Sequence, residues 1–328
     1  MSDAGKAIRV ALPILGLSMP LLVQAGWQQV WNDEFDGTSV NSSRWTFDIG
    51  NGSGGWGNNE LEYYTSRPQN VFVTNGILHI VARNEVPQYN GFDYTSAKLK
   101  TSGRFSQKYG RFEFRARLPQ GQGYWPALWM MPASSVYGGW AASGEIDIME
   151  NKGSNPTTTG GTIHYGGSWP NNVYSGSSYT FPSGGVATDF HTYMLEWGTN
   201  YMKWYVDGVA YQTQTSWWSS GGPYPAPFDQ PFYLIMNLAV GGNYGGNPNG
   251  STVFPGEMQV DYVRVYEFVA SKPDAPTGLT VSCGDGKVYL NWDASSTGAT
   301  GFCAHSARGI ARRDDTGDVL QFVGAQGS

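Results

Sequence analysis

The sequence predicts an all-β fold, specifically a β-jelly-roll sandwich of two curved antiparallel sheets with a concave cleft. Its 328 residues include 45 Gly, 20 Tyr and 13 Trp, and only 14% of them are charged. This composition favours strands joined by many tight turns. No long segment has the 3.6-residue period of an amphipathic helix. Many short strands separated by turn residues are typical of sandwiches and jelly rolls.

The first 25 residues have the features of a secretory signal peptide. Lys6 and Arg9 form a short basic region, residues 10–23 are mostly apolar, and small residues occupy the usual cleavage positions at Val23-Gln24-Ala25. The apolar run is too short for a good membrane span. The alternative is a lipid-anchored start, but no Cys lies where the lipid would attach. We therefore expect residues 1–25 to be removed and the protein to be secreted, with no membrane association afterwards.

Several segments after the signal peptide are predicted to be strands. Two Asn-Gly or Asp-Gly pairs lie between short apolar runs, which is the strongest short-range signal of a hairpin. Another segment alternates polar and apolar residues with the period of a half-buried strand, and a last one is predicted to close the fold. In chain order, these are the hairpin 71–81 around Asn75-Gly76, the strand 111–118, the hairpin 203–211 around Asp207-Gly208 and the strand 259–268.

Residues 144–150, Gly-Glu-Ile-Asp-Ile-Met-Glu, are the most informative segment. The apolar residues predict a buried strand, and buried carboxylates are costly unless they are paired or functional. Glu145 and Asp147 share a face because side chains alternate, whereas Glu150 joins that face only if a β-bulge adds one residue. A carboxyl pair about 5–5.5 Å apart is the spacing of a retaining glycoside hydrolase. The alternative is a solvated edge strand, which would leave the apolar residues exposed.

Four further segments contain residues suited to binding a sugar. They combine amides, aromatic rings and a lone histidine, and two of the aromatic residues are four positions apart on one face of an extended chain. The candidates are Asn59 in 56–64, Trp125 and Trp129 in 121–130, His164 in 162–165, and Asn237 in 237–242. Singly, each has another interpretation, because buried Trp and His are common in a core and Asn is common in turns.

Taken together and in this order, these segments resemble glycoside hydrolase family 16, and within it the bacterial laminarinases, which are endo-β-1,3-glucanases. The resemblance extends from about Trp31 to Phe268. The Trp-Pro-Ala-x-Trp segment at 125–129 and the Gly-Asn-Asn-Glu segment at 57–60 favour a laminarinase over an agarase or carrageenase. Lys98 departs from the resemblance because relatives often have Arg there, and Lys cannot make the same bidentate contacts.

The resemblance implies a role for each carboxylate. Glu145 would be the nucleophile, Glu150 the general acid/base, and Asp147 would tune protonation and hold Glu145 in place, with no cofactor for catalysis. The residues that would shape the sugar subsites are Asn59, Trp125, Trp129, His164 and Asn237. Relatives often bind a structural calcium ion on the convex side, and oxygen-only ligation suits this ion. The matching positions are Glu34, Gly76 and Asp261, with main-chain carbonyls as some of the ligands.

The predicted catalytic domain, residues 26–268, is followed by two shorter segments. Residues 269–276 are a linker by composition. Residues 277–301 resemble the start of a fibronectin type III module, but the next residues lack the expected alternating strand, and the segment is far shorter than the usual ~100 residues. We interpret 277–328 as a partial stub, truncated or frameshifted near Gly301, with an ordinary tail as the alternative. A disulfide between Cys283 and Cys303 is compatible with secretion but not required by it.

Charge and composition limit the partners. The net charge is −6 and no basic run is present, which argues against nucleic acid because phosphate contacts need clustered Lys and Arg. We expect a monomer that acts on β-glucan. The alternatives are a mixed-linkage β-1,3-1,4-glucanase or a galactanase on the same fold, and a non-catalytic glucan-binding lectin. The presence of both Glu145 and Glu150 argues against the lectin.

Overall fold

The computed structural model describes residues 26–182 and 186–270, together with the backbone of four strands between 277 and 312. Residues 27–268 form one compact unit. The predicted signal peptide 1–25 and most of the predicted linker 269–276 lie outside the described residues. No helix in the described part of the chain is long and apolar enough to cross a membrane.

Strands make up most of the compact unit, with one short helix, α1, at Gly242–Gly245 and an irregular turn at Gly55–Asn59. The strands in chain order are β1 Gly26–Asp33, β2 Thr46–Asp48, β3 Glu62–Tyr64, β4 Val71–Thr74, β5 Ile77–Tyr89, β6 Phe92–Ser96, β7 Lys98–Lys100, β8 Gly110–Arg117, β9 Tyr124–Pro132, β10 Glu145–Glu150, β11 Thr158–Gly166, β12 Asn172–Thr180, β13 His191–Trp197, β14 Met202–Val206, β15 Val209–Gln214, β16 Phe232–Val240 and β17 Gly256–Val269.

These strands form two large sheets, and the predicted all-β sandwich is confirmed. One sheet has the order β15-β14-β13-β8-β17-β5-β6-β3, with β1 beside β17 and β4 beside β5. The other has the order β12-β11-β10-β9-β16-β7-β2. The predicted carboxylate strand is therefore the third strand of the second sheet, flanked by β9 and β11.

The core lies where the apolar faces of the strands meet. In β8, Phe112, Phe114 and Ala116 are fully buried while the residues between them are half-buried, which confirms the predicted alternation. Ile146 of β10 and Trp204 of β14 belong to the same buried cluster although they come from different sheets. Apolar burial across the two sheets therefore fixes which face of β10 points away from the core.

Both predicted hairpins are confirmed, and the geometry of their turns explains why Asn-Gly and Asp-Gly occur there. Thr74 pairs with Ile77 across the first turn, and Val206 pairs with Val209 across the second. Asn75-Gly76 has φ values of 53° and 74°, and Asp207-Gly208 has 48° and 76°. Two consecutive residues with positive φ match the twist of a two-residue hairpin, a conformation that Asn, Asp and Gly tolerate best.

The region after the compact unit contains two antiparallel strand pairs. Strand β18 at Thr277–Gly284 pairs with β19 at Lys287–Asp293. Strand β20 at Cys303–Ser306 pairs with β21 at Gly309–Arg312. These strands fall within the predicted stub 277–328. Truncation or a frameshift near Gly301 stays a prediction.

Candidate active site

A β-bulge in β10 places the three carboxylates on one face, as the sequence predicts. The residues of β10 pair with four consecutive residues of β9, and Ile148 is the extra one. The register is Ile146 with Met130, Asp147 with Trp129, Met149 with Leu128 and Glu150 with Ala127. On the other side, Asp147 pairs with Thr162 and Glu150 with Gly160, which gives the same one-residue shift. Ile148 and Met149 both enter the core, so Glu150 returns to the face of Glu145 and Asp147.

The carboxylates are held by nitrogen atoms of neighbouring rings. His164 lies opposite Glu145 in β11, and its Nε2 is 3.8 Å from Glu145 Oε1 and 3.3 Å from Asp147 Oδ2. The indole N–H of Trp140 donates to Glu145 Oε2 at 2.9 Å, and that of Trp125 donates to Glu150 Oε1 at 2.9 Å. Charge-assisted bonds of this kind fix the orientation of a carboxylate.

The backbone of the carboxylate strand is anchored from the core side. The buried indole N–H of Trp204 donates to the main-chain carbonyl of Asp147 at 2.9 Å. This carbonyl lies next to the bulge, where the regular ladder of hydrogen bonds is interrupted. Trp204 thus attaches the strand to the core next to the bulge.

Burial raises the pKa of Glu145, Asp147 and Glu150, each to about 8. The negative charge of Asp147 is the next cause for both glutamates. Desolvation and like charge disfavour ionisation in the same direction. The cluster therefore retains protons at a neutral pH where isolated carboxyl groups are ionised.

The structure brings four of the five predicted sugar-binding residues to the carboxylates. Trp125 and Trp129 lie on the same face of β9, and Trp129 is opposite Asp147 in the ladder. The indole N–H of Trp129 donates to Asn237 Oδ1 at 2.7 Å, and His164 contacts Glu145 and Asp147 as above. Asn59 is exposed and donates to Asn243 Oδ1 at 2.9 Å. Its turn packs beside α1, which also contacts Trp125 through Tyr244, with ring centroids 5.2 Å apart.

Comparison with known families agrees with this geometry. The family model described as "Glycosyl hydrolases family 16" matches residues 58–264, more than half of the chain. The chain belongs to this family. The resemblance found in the sequence is confirmed.

Individual relatives and solved structures agree with this family membership. The chain is 49% identical over 261 residues to glucan endo-1,3-beta-glucosidase A1 of Niallia circulans, covering 74% of this chain and 38% of the relative. It is 44% identical over 266 residues to a beta-glucanase of Rhodothermus marinus, covering 74% and 86%. Among solved structures, the laminarinase catalytic domain from Thermotoga maritima MSB8 superposes with a TM-score of 0.66 at 43% identity, covering 74% of this chain and 99% of that one.

The family 16 site also contains Trp140, which the sequence argument missed, and contacts of Lys98 that it did not predict. Trp140, which holds Glu145, comes from the loop between β9 and β10, and its ring lies 5.6 Å from that of His164. Lys98 is buried with its ammonium group 4.3 Å from the ring centroid of Trp56 and 4.9 Å from that of Trp129. The Trp immediately upstream of the carboxylate strand was the one available signal for Trp140. Lys98 was noted only as a departure from the resemblance, and its contacts had no local signal because Trp56 and Trp129 are distant in sequence.

The predicted calcium ligands do not form an open set of oxygen donors. Both carboxylate oxygens of Glu34 accept hydrogen bonds from Arg264, at 2.9 and 2.7 Å. Asp261 forms an ion pair with Arg115, and Gly76 lies in the β4–β5 turn. As placed, the side-chain oxygens of Glu34 do not fit a calcium ion, because the ion would have to displace Arg264. Ligation through main-chain carbonyls stays a prediction. Among the described residues, the group of acidic and histidine side chains close enough to share a metal is instead Glu145, Asp147 and His164.

Proposed function

We propose that this protein is an endo-acting retaining glycoside hydrolase that cleaves β-1,3-glucan of the laminarin type by double displacement. The observation that carries the proposal is the bulge in β10, which places Glu145, Asp147 and Glu150 on one face between the indoles of Trp125 and Trp140. The names of its relatives, endo-1,3-beta-glucosidase and laminarinase, support β-1,3-glucan as the substrate. The chain spans less than half of the Niallia relative, so this proposal concerns the catalytic region.

The proposed reaction has two steps that use carboxyl groups and water. Glu150 donates its proton to the glycosidic oxygen while Glu145 attacks the anomeric carbon, so the C–O bond breaks and a glycosyl-enzyme forms. Glu150, now ionised, then takes a proton from water, and the resulting nucleophile displaces Glu145 from the same face that the leaving group occupied. Two inversions retain the β configuration.

The surroundings of the two glutamates support these roles. Glu145 accepts the Trp140 N–H and has a histidine nitrogen 3.8 Å away, and both contacts favour its ionised form. Glu150 accepts the Trp125 N–H, while burial and the charge of Asp147 raise its pKa. A general acid needs a raised pKa and a nucleophile needs an available charge. Burial and the charge of Asp147 raise the pKa of both glutamates, and each accepts one indole N–H, so we assign the proton to Glu150 and the charge to Glu145 on the family resemblance and the nearer histidine.

We propose that the sugar rings lie along this face of the sheet. Trp129, positioned by Asn237, is opposite Asp147 and offers a stacking surface next to the reacting bond. Trp125 and Asn59 would contact the chain on the Glu150 side, and His164 on the Glu145 side. An amphipathic ring can cover the apolar face of a pyranose at low conformational cost.

Secretion and a monomeric state are part of the same proposal. The basic and apolar pattern of residues 1–25 supports export, and an extracellular location fits a polymer that cannot enter the cell. Mixed-linkage glucan and galactan are less well supported than β-1,3-glucan, because the Niallia relative is named as an endo-1,3-beta-glucosidase and the Thermotoga structure as a laminarinase. A non-catalytic lectin is less well supported because both glutamates are present on the same face of β10.

The proposal is tested by reducing-sugar release from laminarin, with mixed-linkage glucan and agarose in parallel. The wild type is expected to act best on laminarin, and Glu145→Ser is expected to be inactive but to unfold at a similar temperature. Glu196→Ser is a suitable control, because Glu196 is paired with Arg111 in the other sheet. A folded wild type that is silent on laminarin and active on another polymer would refute the assigned substrate. Activity retained by Glu145→Ser would refute the assigned nucleophile.

A further inference from the structure

Two buried carboxyl groups lie behind the proposed sugar subsites and have no part in the reaction described above. Glu60 and Glu62 flank Leu61 at the start of β3 and are 9% and 0% exposed. Buried carboxylates are rarely placed close together, because each costs free energy to desolvate and the two charges repel. Such a pair is stable when one member keeps a proton and gives it to the other.

The contacts of Glu62 show which member keeps the proton. Its Oε2 accepts the main-chain N–H of Val240 at 2.6 Å. Its Oε1 is buried and has no donor among the described residues. If Glu62 is ionised, this oxygen is left unsatisfied, which is unfavourable in the interior. If Oε1 carries a proton, it becomes a donor. Glu60 is extended and lies two residues before Glu62, so its side chain is on the same face and its carboxylate is the acceptor for that proton.

Both carboxylate oxygens of Glu60 accept hydrogen bonds. Its Oε1 accepts from the Asn58 amide at 3.3 Å, and its Oε2 accepts the hydroxyl proton of Tyr64 at 3.1 Å. Lys98, on β7, is the cation whose charge acts on Glu60. Tyr64 and Tyr94 are the other titratable groups near the pair, Tyr94 being opposite Glu62 in the ladder with β6.

From Glu60 a chain of hydrogen bonds with a fixed direction leads to the cleft. The hydroxyl of Tyr64 has one proton and gives it to Glu60, so its oxygen must accept, and it does so from Asn237 Nδ2 at 3.0 Å. The amide of Asn237 is thereby oriented with its oxygen towards the indole N–H of Trp129 at 2.7 Å. Each link allows only one orientation of the next, since a hydroxyl has a single proton and an amide has distinct donor and acceptor ends.

We propose that Glu62 is a positioning residue that stays protonated and donates to Glu60, so that Glu60, Tyr64 and Asn237 hold Trp129 in its orientation beside the carboxylates. Burial, followed by the charge of Glu60, raises the pKa of Glu62 well above its ordinary value, in agreement with the geometry. The effect on the sugar subsite rests on the proposed function. The protonation of the pair does not.

The substitution that isolates this role is Glu62→Gln. A glutamine has the same shape as a protonated glutamate, so its oxygen can accept from Val240 and its amide can donate to Glu60. We expect kcat/KM on laminarin at pH 6 to stay within about twofold of the wild type, because no hydrogen bond is lost.

Glu62→Leu is the matched variant of similar volume with neither donor nor acceptor. It is expected to raise KM by about tenfold or more with a smaller change in kcat, because Trp129 loses its orientation in the subsite.

A second readout needs no substrate. Above the ordinary carboxyl value of 4.5, the folded wild type holds one more proton than the unfolded chain, so its stability falls as the pH rises towards the folded pKa. Glu62→Gln has no such proton. The Tm of Glu62→Gln minus that of the wild type, measured from pH 5 to pH 9, is therefore expected to increase with pH.

A Tm difference that is constant or decreases with pH would overturn the proposed protonation. Loss of activity in Glu62→Gln equal to that in Glu62→Leu would overturn the positioning role. If Glu62→Leu does not fold, Tyr64→Phe, which removes the next link of the chain, takes its place in the comparison of KM, and the pH series still tests the protonation. A wild type inactive on laminarin would count against the proposed function alone, because the Tm series would still test the acid pair.

Discussion

The hydrogen bond from Trp140 to Glu145 provides a direct test of how the proposed nucleophile is kept ionised. The indole N–H is 2.9 Å from Glu145 Oε2 and stabilises the charged carboxylate, whereas the protonated form gains less from it. Trp140→Phe removes this donor and keeps an aromatic ring next to His164. The pKa of Glu145 is therefore expected to rise further above its ordinary value, since burial is no longer opposed by this contact.

The size of the change follows from the energy of one hydrogen bond to a charged group. Such bonds contribute about 1.5–3 kcal/mol, and about 1.36 kcal/mol corresponds to one pKa unit or a tenfold change in rate. Trp140 is 37% exposed, so water can replace part of the lost donor and the lower end of this range applies. We expect a rise of about one unit in the pKa of Glu145, and a loss of about tenfold in kcat/KM below that pKa.

The assay is the pH dependence of kcat/KM on laminarin, which reports groups of the free enzyme. Because Glu145 must be ionised to attack, activity increases with pH through its pKa, and the acid limb should move to higher pH in Trp140→Phe. Trp27→Phe is the control, since Trp27 packs on Phe268 in the other sheet. An acid limb that does not move, or that moves to lower pH, would refute the assignment of Glu145 as the group stabilised by Trp140.

Two further predictions concern stability. Trp204→Phe removes the buried donor to the carbonyl of Asp147 and leaves a cavity, so we expect a loss of about 3 kcal/mol and a Tm lower by roughly 6–12 °C. Calorimetry should show little change for Trp218→Phe, which is 50% exposed. EDTA is expected to leave the Tm unchanged because Arg264 already neutralises Glu34. A Tm lowered by EDTA and restored by excess calcium would show that the protein binds a stabilising calcium ion, contrary to this expectation.

The sequence was sufficient for features that depend on local rules. Asn75-Gly76 and Asp207-Gly208 specified their hairpins because few other pairs tolerate positive φ at both positions. The bulge was predictable because Ile148 and Met149 are adjacent apolar residues in a strand that must also present carboxylates on its other face. In each case a short-range steric or hydrophobic requirement allowed one solution.

Features that depend on packing between distant segments were not predictable. Arg264 reaches Glu34 from 230 positions away, so the oxygens that looked available for calcium already have a partner. Trp140 lies in a loop without periodicity, and its contact with Glu145 is set by how that loop folds back. The depth at which Glu62 is buried depends on Val240 of β16 and on β6, neither of which can be placed from the local sequence.

The bulge and the acid pair follow from one physical requirement. A cleft that raises the pKa of Glu150 must exclude water, and its wall must then be built from residues that need no water themselves. Ile148 and Met149 meet this need by both entering the core, where each buried side chain contributes about 1.5–3 kcal/mol. Behind Trp129, water is also excluded, so the buried polar residues must form their hydrogen bonds with one another. A protonated Glu62 and an ionised Glu60 do so with one negative charge rather than two, which keeps further negative charge away from Glu145.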